Sequence, residues 1–229
     1  MQTYKKKCYI IILVIAMNIY RPILGELIEI INIHADIEKY RQDGISIENK
    51  KILKLEEIDL NCEDVEFEKC VFKDCKIKGS FEKAVFHDVV FENCDFSNCL
   101  FREGSFIRVE MRNCKMLGCD FSDSRIYHMA SIETFYEYAN FSNANLEEVV
   151  FNRCDLTNTS LSECKIKHVY FENSKLIRTQ FFKTNLANVD ISTCEIEGLV
   201  VRIEDMHGLI VNSFQAIELS KLMGIVVKE

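Results

Sequence analysis

Large apolar residues recur at every fifth position over more than a hundred residues. From Phe81 the row runs through Phe86, Phe91, Phe96, Phe101, Phe106, Met111, Met116, Phe121 and Ile126, then resumes from Phe141 to Ile196. An earlier row of Phe67, Phe72 and Ile77 joins it through a four-residue step at Gly79-Ser80. A helix repeats its faces about every 3.6 residues and a strand about every 2. Neither can hold such a row on one side for so long.

The position two before each large residue is usually small. It reads Cys94, Cys99, Gly104, Val109, Cys114, Cys119 and Ser124, then Ala139, Ala144, Val149, Cys154, Thr159 and Cys164. A chain that turns once per five residues and buries one large and one small side chain per turn explains both rows. Four such turns would make a square coil, with residues twenty apart stacked on one another. The chemistry agrees, because Val89, Val109, Val149, Val169 and Val189 fall on one wall and Cys94, Cys114, Cys154 and Cys194 on another. Successive coils would pair through backbone hydrogen bonds at the usual strand spacing of about 4.8 Å.

The repeating unit resembles that of the pentapeptide-repeat family, roughly A(D/N)LXX, here written CDFSN, ANFSN, ANLEE, CDLTN and TNLAN. The resemblance covers about residues 62–211 and implies an all-β fold, a right-handed quadrilateral parallel β-helix with a short C-terminal helical cap. The close of the chain, IVNSFQAIELSKLMGIVV, is similar to that of the Qnr-type quinolone-resistance proteins. That narrower resemblance implies a dimeric rod acting on DNA gyrase and topoisomerase IV as a mimic of duplex DNA. The expected layout is an apolar segment at 1–22, an extension at 23–60, the repeat at 61–211 and a capping and dimerisation helix with its tail at 212–229.

A solenoid exposes an apolar cross-section at each end and needs a cap there. Asn212 or Ser213 can start a helix that stops near Gly224. On it Ala216, Leu219, Leu222 and Met223 share one arc, whereas Phe214 and Ile217 point elsewhere. Apolar residues on a second side predict a two-fold homodimer through Phe214, Ile217, Leu219, Leu222 and Met223. About eight coils at that spacing give a rod on the order of 40 Å per subunit. At the other end Lys5-Lys6-Lys7 precedes an apolar run from Cys8 to Met17 without a small-x-small cleavage site. Three readings stay open: an export or anchoring segment touching membrane through residues 8–20, an ordinary apolar element, or translation from Met17.

Charge comes next. Residues 1–60 hold nine acids and nine bases, so the net −8 falls on the remainder. An acidic body speaks against direct contact with nucleic-acid phosphates and for a basic partner surface. Sorted by wall, one face carries Glu92, Glu110, Glu133, Glu172 and Asp190 against Arg112 and Arg153. Its neighbour carries Asp95, Glu137, Asp155, Glu195 and Glu197 against Lys115, Lys175 and Arg178. These two walls are the candidate partner-binding surface. A second candidate is the interrupted stretch 127–139, where Ser131 and Tyr136 take large positions and Phe135, Tyr136 and Tyr138 cluster. It is either a recognition feature or a distorted coil with its aromatics packed inside.

Eleven cysteines suggest disulfides or metal at first sight. Nine of them occupy the small inward position, with Cys8 and Cys62 the exceptions, so the repeat itself sets their spacing. They are expected to be reduced, buried and inert. No nucleotide-binding, hydrolase or metalloprotease motif is present, and no catalytic residue, cofactor or metal is assigned. The expected protein is a cytoplasmic, non-enzymatic partner of type II topoisomerase; the alternative is a repeat scaffold with an unrelated, envelope-associated partner.

Overall fold

One backbone conformation bends the chain every five residues. The residue two after each large position has a left-handed φ: 57° at Asp88, 55° at Asn93, 63° at Asn98 and 56° at Glu103. Asn and Asp tolerate this region best, yet Lys83, Arg108, His128 and Tyr138 adopt it as well. What offsets their cost is axial hydrogen bonding. Asn98 N–H donates to Leu117 O at 2.7 Å on the next coil, and Lys115 N–H donates back to Cys94 O at 2.8 Å.

The computed structural model describes residues 20–30, 32–56 and 58–228. It begins with β1 (Ile28–Glu29), α1 (Ile33–Asp43), β2 (Ile47–Glu48), β3 (Lys50–Leu53) and β4 (Ile58–Asn61). There follow β5 (Glu66–Glu68), β6 (Val71–Lys73), β7 (Ile77–Ser80), β8 (Val85–Glu92) and β9 (Ser105–Arg112). The last strands are β10 (Arg125–Ile132), β11 (Asn145–Asn152) and β12 (Lys165–Glu172), and α2 (Ser213–Ser220) comes near the end. All pairings are parallel, and β8 to β12 stack in register, so that Phe86, Phe106, Ile126, Leu146 and Ile166 lie in one column. This is the four-sided parallel β-helix the repeat predicts. Its ladder starts upstream of residue 61, because β2 pairs with β5 and β3 with β6.

Inside, the large residues stack by wall. Phe81, Phe101, Phe121 and Phe141 follow one another at ring separations of 5.1, 4.9 and 4.7 Å, nearly parallel. Across the barrel the rings meet edge to face, as Phe91 and Phe96 do at 5.4 Å. Both geometries suit the aromatic quadrupole. The four-residue step at Gly79 shifts the first coils by one residue, pairing Phe67 with Phe86 and Ile58 with Ile77. Gly79 has φ 119°, and a Cβ there would lie 2.1 Å from Leu60 O, so only glycine fits the step.

The interrupted stretch is a regular coil. β10 keeps the twenty-residue register with both neighbours, and no loop projects. Ser131 is small because Tyr136 is large: the two hydroxyls lie 2.9 Å apart in the core, and Tyr136 Oη also donates to Met111 Sδ at 3.1 Å. Tyr136 is therefore an interior residue, not a partner contact.

The cysteines occupy the same site as serines and threonines. Thr159 Oγ1 donates to Tyr136 O at 2.7 Å and Ser174 Oγ to Phe151 O at 3.1 Å. Cys119 Sγ reaches Phe96 O at 3.0 Å and Cys164 Sγ reaches Phe141 O at 3.0 Å, in each case a carbonyl 23 residues upstream. The position selects a small side chain with a donor at its tip, which is more than the small hydrophobe that spacing alone implies. Cys62 differs: Val65 N–H donates to Cys62 O as Ala84 N–H does to Phe81 O, so this thiol stands in a large-residue place. Cys8 lies outside the described residues.

All ten described cysteines are free and buried. Burial pushes the thiols of Cys62, Cys99 and Cys164 up to about 12. A hydrogen bond with Cys94 holds the Cys114 thiol below its ordinary value, but a thiol needs access as well as its ionised form to react, and Cys114 is fully buried. Native protein should therefore leave these ten cysteines unlabelled by an aromatic disulfide reagent at pH 8 while the denatured chain reacts fully. Fast labelling of several in the native state would show that the interior opens.

Candidate functional site

A β-helix has no concave cleft of its own, so chemistry is confined to walls, corners and ends. Among the described residues no three His, Cys, Asp or Glu side chains converge on a metal site. No described helix is long and apolar enough to cross a membrane.

The structure divides the acids of the two candidate walls unequally. Towards the N-terminal half most are engaged: Lys73 Nζ bonds Glu92 at 3.0 Å and Arg153 pairs with Glu133 at 3.6 Å. Asp95 accepts from Ser97 N–H and Oγ, closing a local turn. Asp155 holds Lys175 at 3.0 Å. Asp95, like Glu137, Glu172, Asp190, Glu195 and Glu197 further along the rod, has no ion-pair partner among the described residues, and Asp190 accepts from Ser192 N–H at 2.8 Å in the same kind of turn. Burial, then the nearby Asp155 charge, holds the Glu137 carboxyl above its ordinary value, although Lys175 works against this. Burial, then Asp190, does the same to Glu172.

Glu110 falls out of this surface. It is 2 % exposed and lies beneath residues 20–24, where Arg21 forks onto it through Nε at 3.2 Å and Nη2 at 2.8 Å. Arg112 bonds the same carboxylate from within its own strand. The wall pattern put Glu110 outward, which it is; an 89-residue return of the chain covers it.

That return is an extended strap along the corner column of Asp88 and His128. Ile23 N–H donates to Asp88 Oδ1 at 2.9 Å, two coils from where the Tyr20 ring meets His128 edge-on at 4.6 Å. Ile28 and Ile30 then donate to Asn49 O and Lys51 O, making β1 the outermost strand. Burial lowers the pKa of His128, which suits its Nδ1 to accept from Tyr20 N–H at 3.5 Å. Burial opposes ionisation of Asp88 too. There the hydrogen bonds from Arg108 and Ile23 N–H, together with the Arg108 charge, prevail and hold the carboxyl below its ordinary value. The sequence gives no sign of the strap beyond a lone Arg-Pro pair between apolar residues.

At the N-terminal end α1 is the lid. Asn32 caps it, Ile33 and Ile37 turn into the core, and Tyr40 Oη donates to Asp64 O at 2.7 Å. At the other end α2 has a capping box between Asn212 and Gln215. The residue that faces the barrel is polar. Gln215 Nε2 donates to Ile191 O and Cys194 O, both at 2.8 Å, and Ile191 O also accepts the Cys194 N–H of its own coil. Leu219 packs on the core beside it, while Ala216, Leu222 and Met223 stay exposed. The amphipathic arc read from sequence is therefore rotated: a buried glutamine is invisible to apolar spacing. Phe214 is 83 % exposed, and with Ile217, Leu222, Met223, Ile225 and Val226 it leaves the end of the rod apolar. Phe135 and Tyr138 also lie outside, on the wall of Glu137.

No curated protein matches the sequence. Two trypsin-treated variants of QnrB1, described as a plasmid-mediated fluoroquinolone resistance protein, are similar in structure at 21% and 23% identity. They align over 80% and 81% of this chain and 94% and 92% of theirs, with TM-scores of 0.44 and 0.46. HetL, a pentapeptide repeat protein involved in heterocyst differentiation regulation from Nostoc sp. strain PCC 7120, is 8% identical, covering 79% of this chain and 95% of its own, with a TM-score of 0.34. The family model for the pentapeptide repeat region matches residues 84–157 and 134–200, which together span 117 of the 229 residues. With that repeat stacked coil on coil in the structure, the chain belongs to the pentapeptide-repeat family.

Proposed function

We propose that this protein is a non-enzymatic interaction module: a homodimeric acidic rod that docks on the basic DNA-binding surface of a type II topoisomerase, gyrase or topoisomerase IV, and lowers quinolone sensitivity. The observation that carries the reading is the set of unpaired carboxylates Glu137, Glu172, Asp190, Glu195 and Glu197 on two adjoining walls, next to an uncovered apolar end. The choice of target follows the resemblance of the C-terminal sequence to Qnr-type proteins.

Joining two subunits through α2 sets their acidic halves back to back, so the unpaired charges form one central stretch. From Glu137 to Glu197 the rod rises three coils, about 14 Å at strand spacing. Five carboxylates over that rise give roughly one charge per 3 Å, before Arg178 is counted, against about one per 1.7 Å in duplex DNA. The field is DNA-like in sign and order of magnitude. It suits steering towards a basic groove, which salt would weaken.

A supercoiling assay with purified gyrase tests the target. Added protein is expected to alter supercoiling and to restore part of the activity lost to a quinolone; no effect at large excess would reject the reading. Replacing Glu172, Asp190 and Glu195 together by lysine should weaken binding by about tenfold or more at low salt, with a smaller loss at high salt.

Glu172→Gln separates stability from binding. A carboxyl whose folded pKa is raised destabilises the fold once ionised, and this cost disappears below the unfolded value. The substitution should raise Tm by on the order of 1–2 °C at pH 7, leave it unchanged near pH 3, and still weaken partner binding. An unchanged Tm at pH 7 would mean that Glu172 is better solvated than its surroundings imply.

Sedimentation at micromolar concentration is expected to give a dimer, and Phe214→Glu a monomer with an unaltered circular dichroism spectrum. A wild-type monomer would sink the end-to-end arrangement.

A further inference from the structure

The strap is attached in an unusual way. Its apolar side chains are mostly in solvent, with Tyr20 65 % and Ile23 66 % exposed, so little apolar area holds it down. Its fixed points are polar. Arg21 grips Glu110 with both oxygens engaged, Ile23 N–H reaches Asp88, and Tyr20 N–H reaches His128. A segment kept for stability alone would be expected to bury its side chains, since burial of apolar surface is the main favourable term.

The floor beneath it is complete without it. Asp88 accepts from Arg108 Nε and Nη2, each at 2.7 Å, and Glu110 keeps Arg112. Lifting the strap would therefore leave neither buried carboxylate without a cation, and this makes release feasible where an orphaned buried charge would forbid it. Glu110 nevertheless presents both oxygens to a second guanidinium, a fork that fits arginine and not lysine. Between strap and wall a pocket remains, lined by Pro22, Leu24, Val71, Val90 and Glu92. Leu24 is itself part of that lining and stays 39 % exposed.

We propose that this corner groove, with Glu110 and Asp88 in its floor, is a binding site for an extended peptide bearing an arginine with an apolar residue three positions on, and that Tyr20–Leu24 occupies it as a tethered competitor. Such a ligand would place its guanidinium on Glu110, give a main-chain N–H to Asp88 and fill the pocket beside Val90 better than Leu24 does. The tether raises the local concentration of the strap, so an incoming peptide must outbid it, and the site opens only to a partner that does. The groove floor at Asp88 and Glu110 includes none of the unpaired acids, and the proposal does not depend on topoisomerase being the partner of the acidic walls.

The test uses the full-length chain and a fluorescent peptide with the sequence of Tyr20–Glu26. Anisotropy should show it binding the Arg21→Ala protein about tenfold or more tightly than wild type, whose own strap competes. A peptide with glutamate in place of the arginine should bind neither. Adding Glu110→Gln to the Arg21→Ala protein should weaken binding by about tenfold or more, since a neutral amide cannot take the guanidinium fork. Equal binding to wild type and Arg21→Ala, no binding to Arg21→Ala, or indifference to Glu110→Gln would each overturn the proposal. Hydrogen exchange on the wild type needs no substitution. Excess peptide should expose the Ile23 amide while residues 105–112 stay protected, and an Ile23 amide unaffected by peptide would equally reject the groove as a site.

Discussion

Everything in this molecule depends on the hydrogen bonds that run along the rod axis from coil to coil. Left-handed corners such as Glu103 and Arg108 are unfavourable in isolation. They persist because each aims its N–H at a carbonyl of the next coil, as Glu103 does at Ser122 O. The corner residue is thus chosen by what it donates as much as by what it tolerates. The inward pair follows from the corner: one large side chain to fill the square, and one small one whose tip can reach the carbonyl of the preceding coil.

The same axial bonding makes the ends the weak points. The last coil has no full successor, and Gln215 on α2 supplies donors to its Ile191 and Cys194 carbonyls. Apolar packing by Leu219 completes the closure, yet Phe214, Met223 and Val226 remain outside. At the opposite end α1 gives two isoleucines, Ile33 and Ile37, to the core. A rod capped by a polar glutamine at one end and by two isoleucines at the other has a direction.

Ion pairing gives the walls a direction too. By sequence the acids are spread along the repeat; in the fold, neighbours twenty residues apart stand side by side and neutralise one another. Lys167 and Glu147, or Lys183 and Glu163, are such pairs. Arg21 and Arg112 remove Glu110 from the surface altogether. What survives is concentrated in the C-terminal half, where bases of suitable register are scarce.

The coil was legible in the sequence because each five-residue unit carries its own corner, its own large residue and its own small one. Phe81 to Ile196 could be placed inside and their neighbours outside from spacing alone, and the cysteines fell into place with them. Tyr136 was misplaced because it and Ser131 exchange volume across a wall, a trade visible only when columns are stacked. The first coil escaped notice since Ile47, Ile52 and Leu60 follow the repeat only loosely and Cys62 takes a large-residue position. The sequence by itself therefore determined the solenoid from Phe67 onward, its interior and the side on which most repeat residues lie, because those are local properties repeated many times. The tertiary structure decided which charges remain free, where residues 20–24 lie and that a glutamine closes the rod. Each of these rests on a contact between distant segments, such as the 89 residues between Arg21 and Glu110, that no local period records.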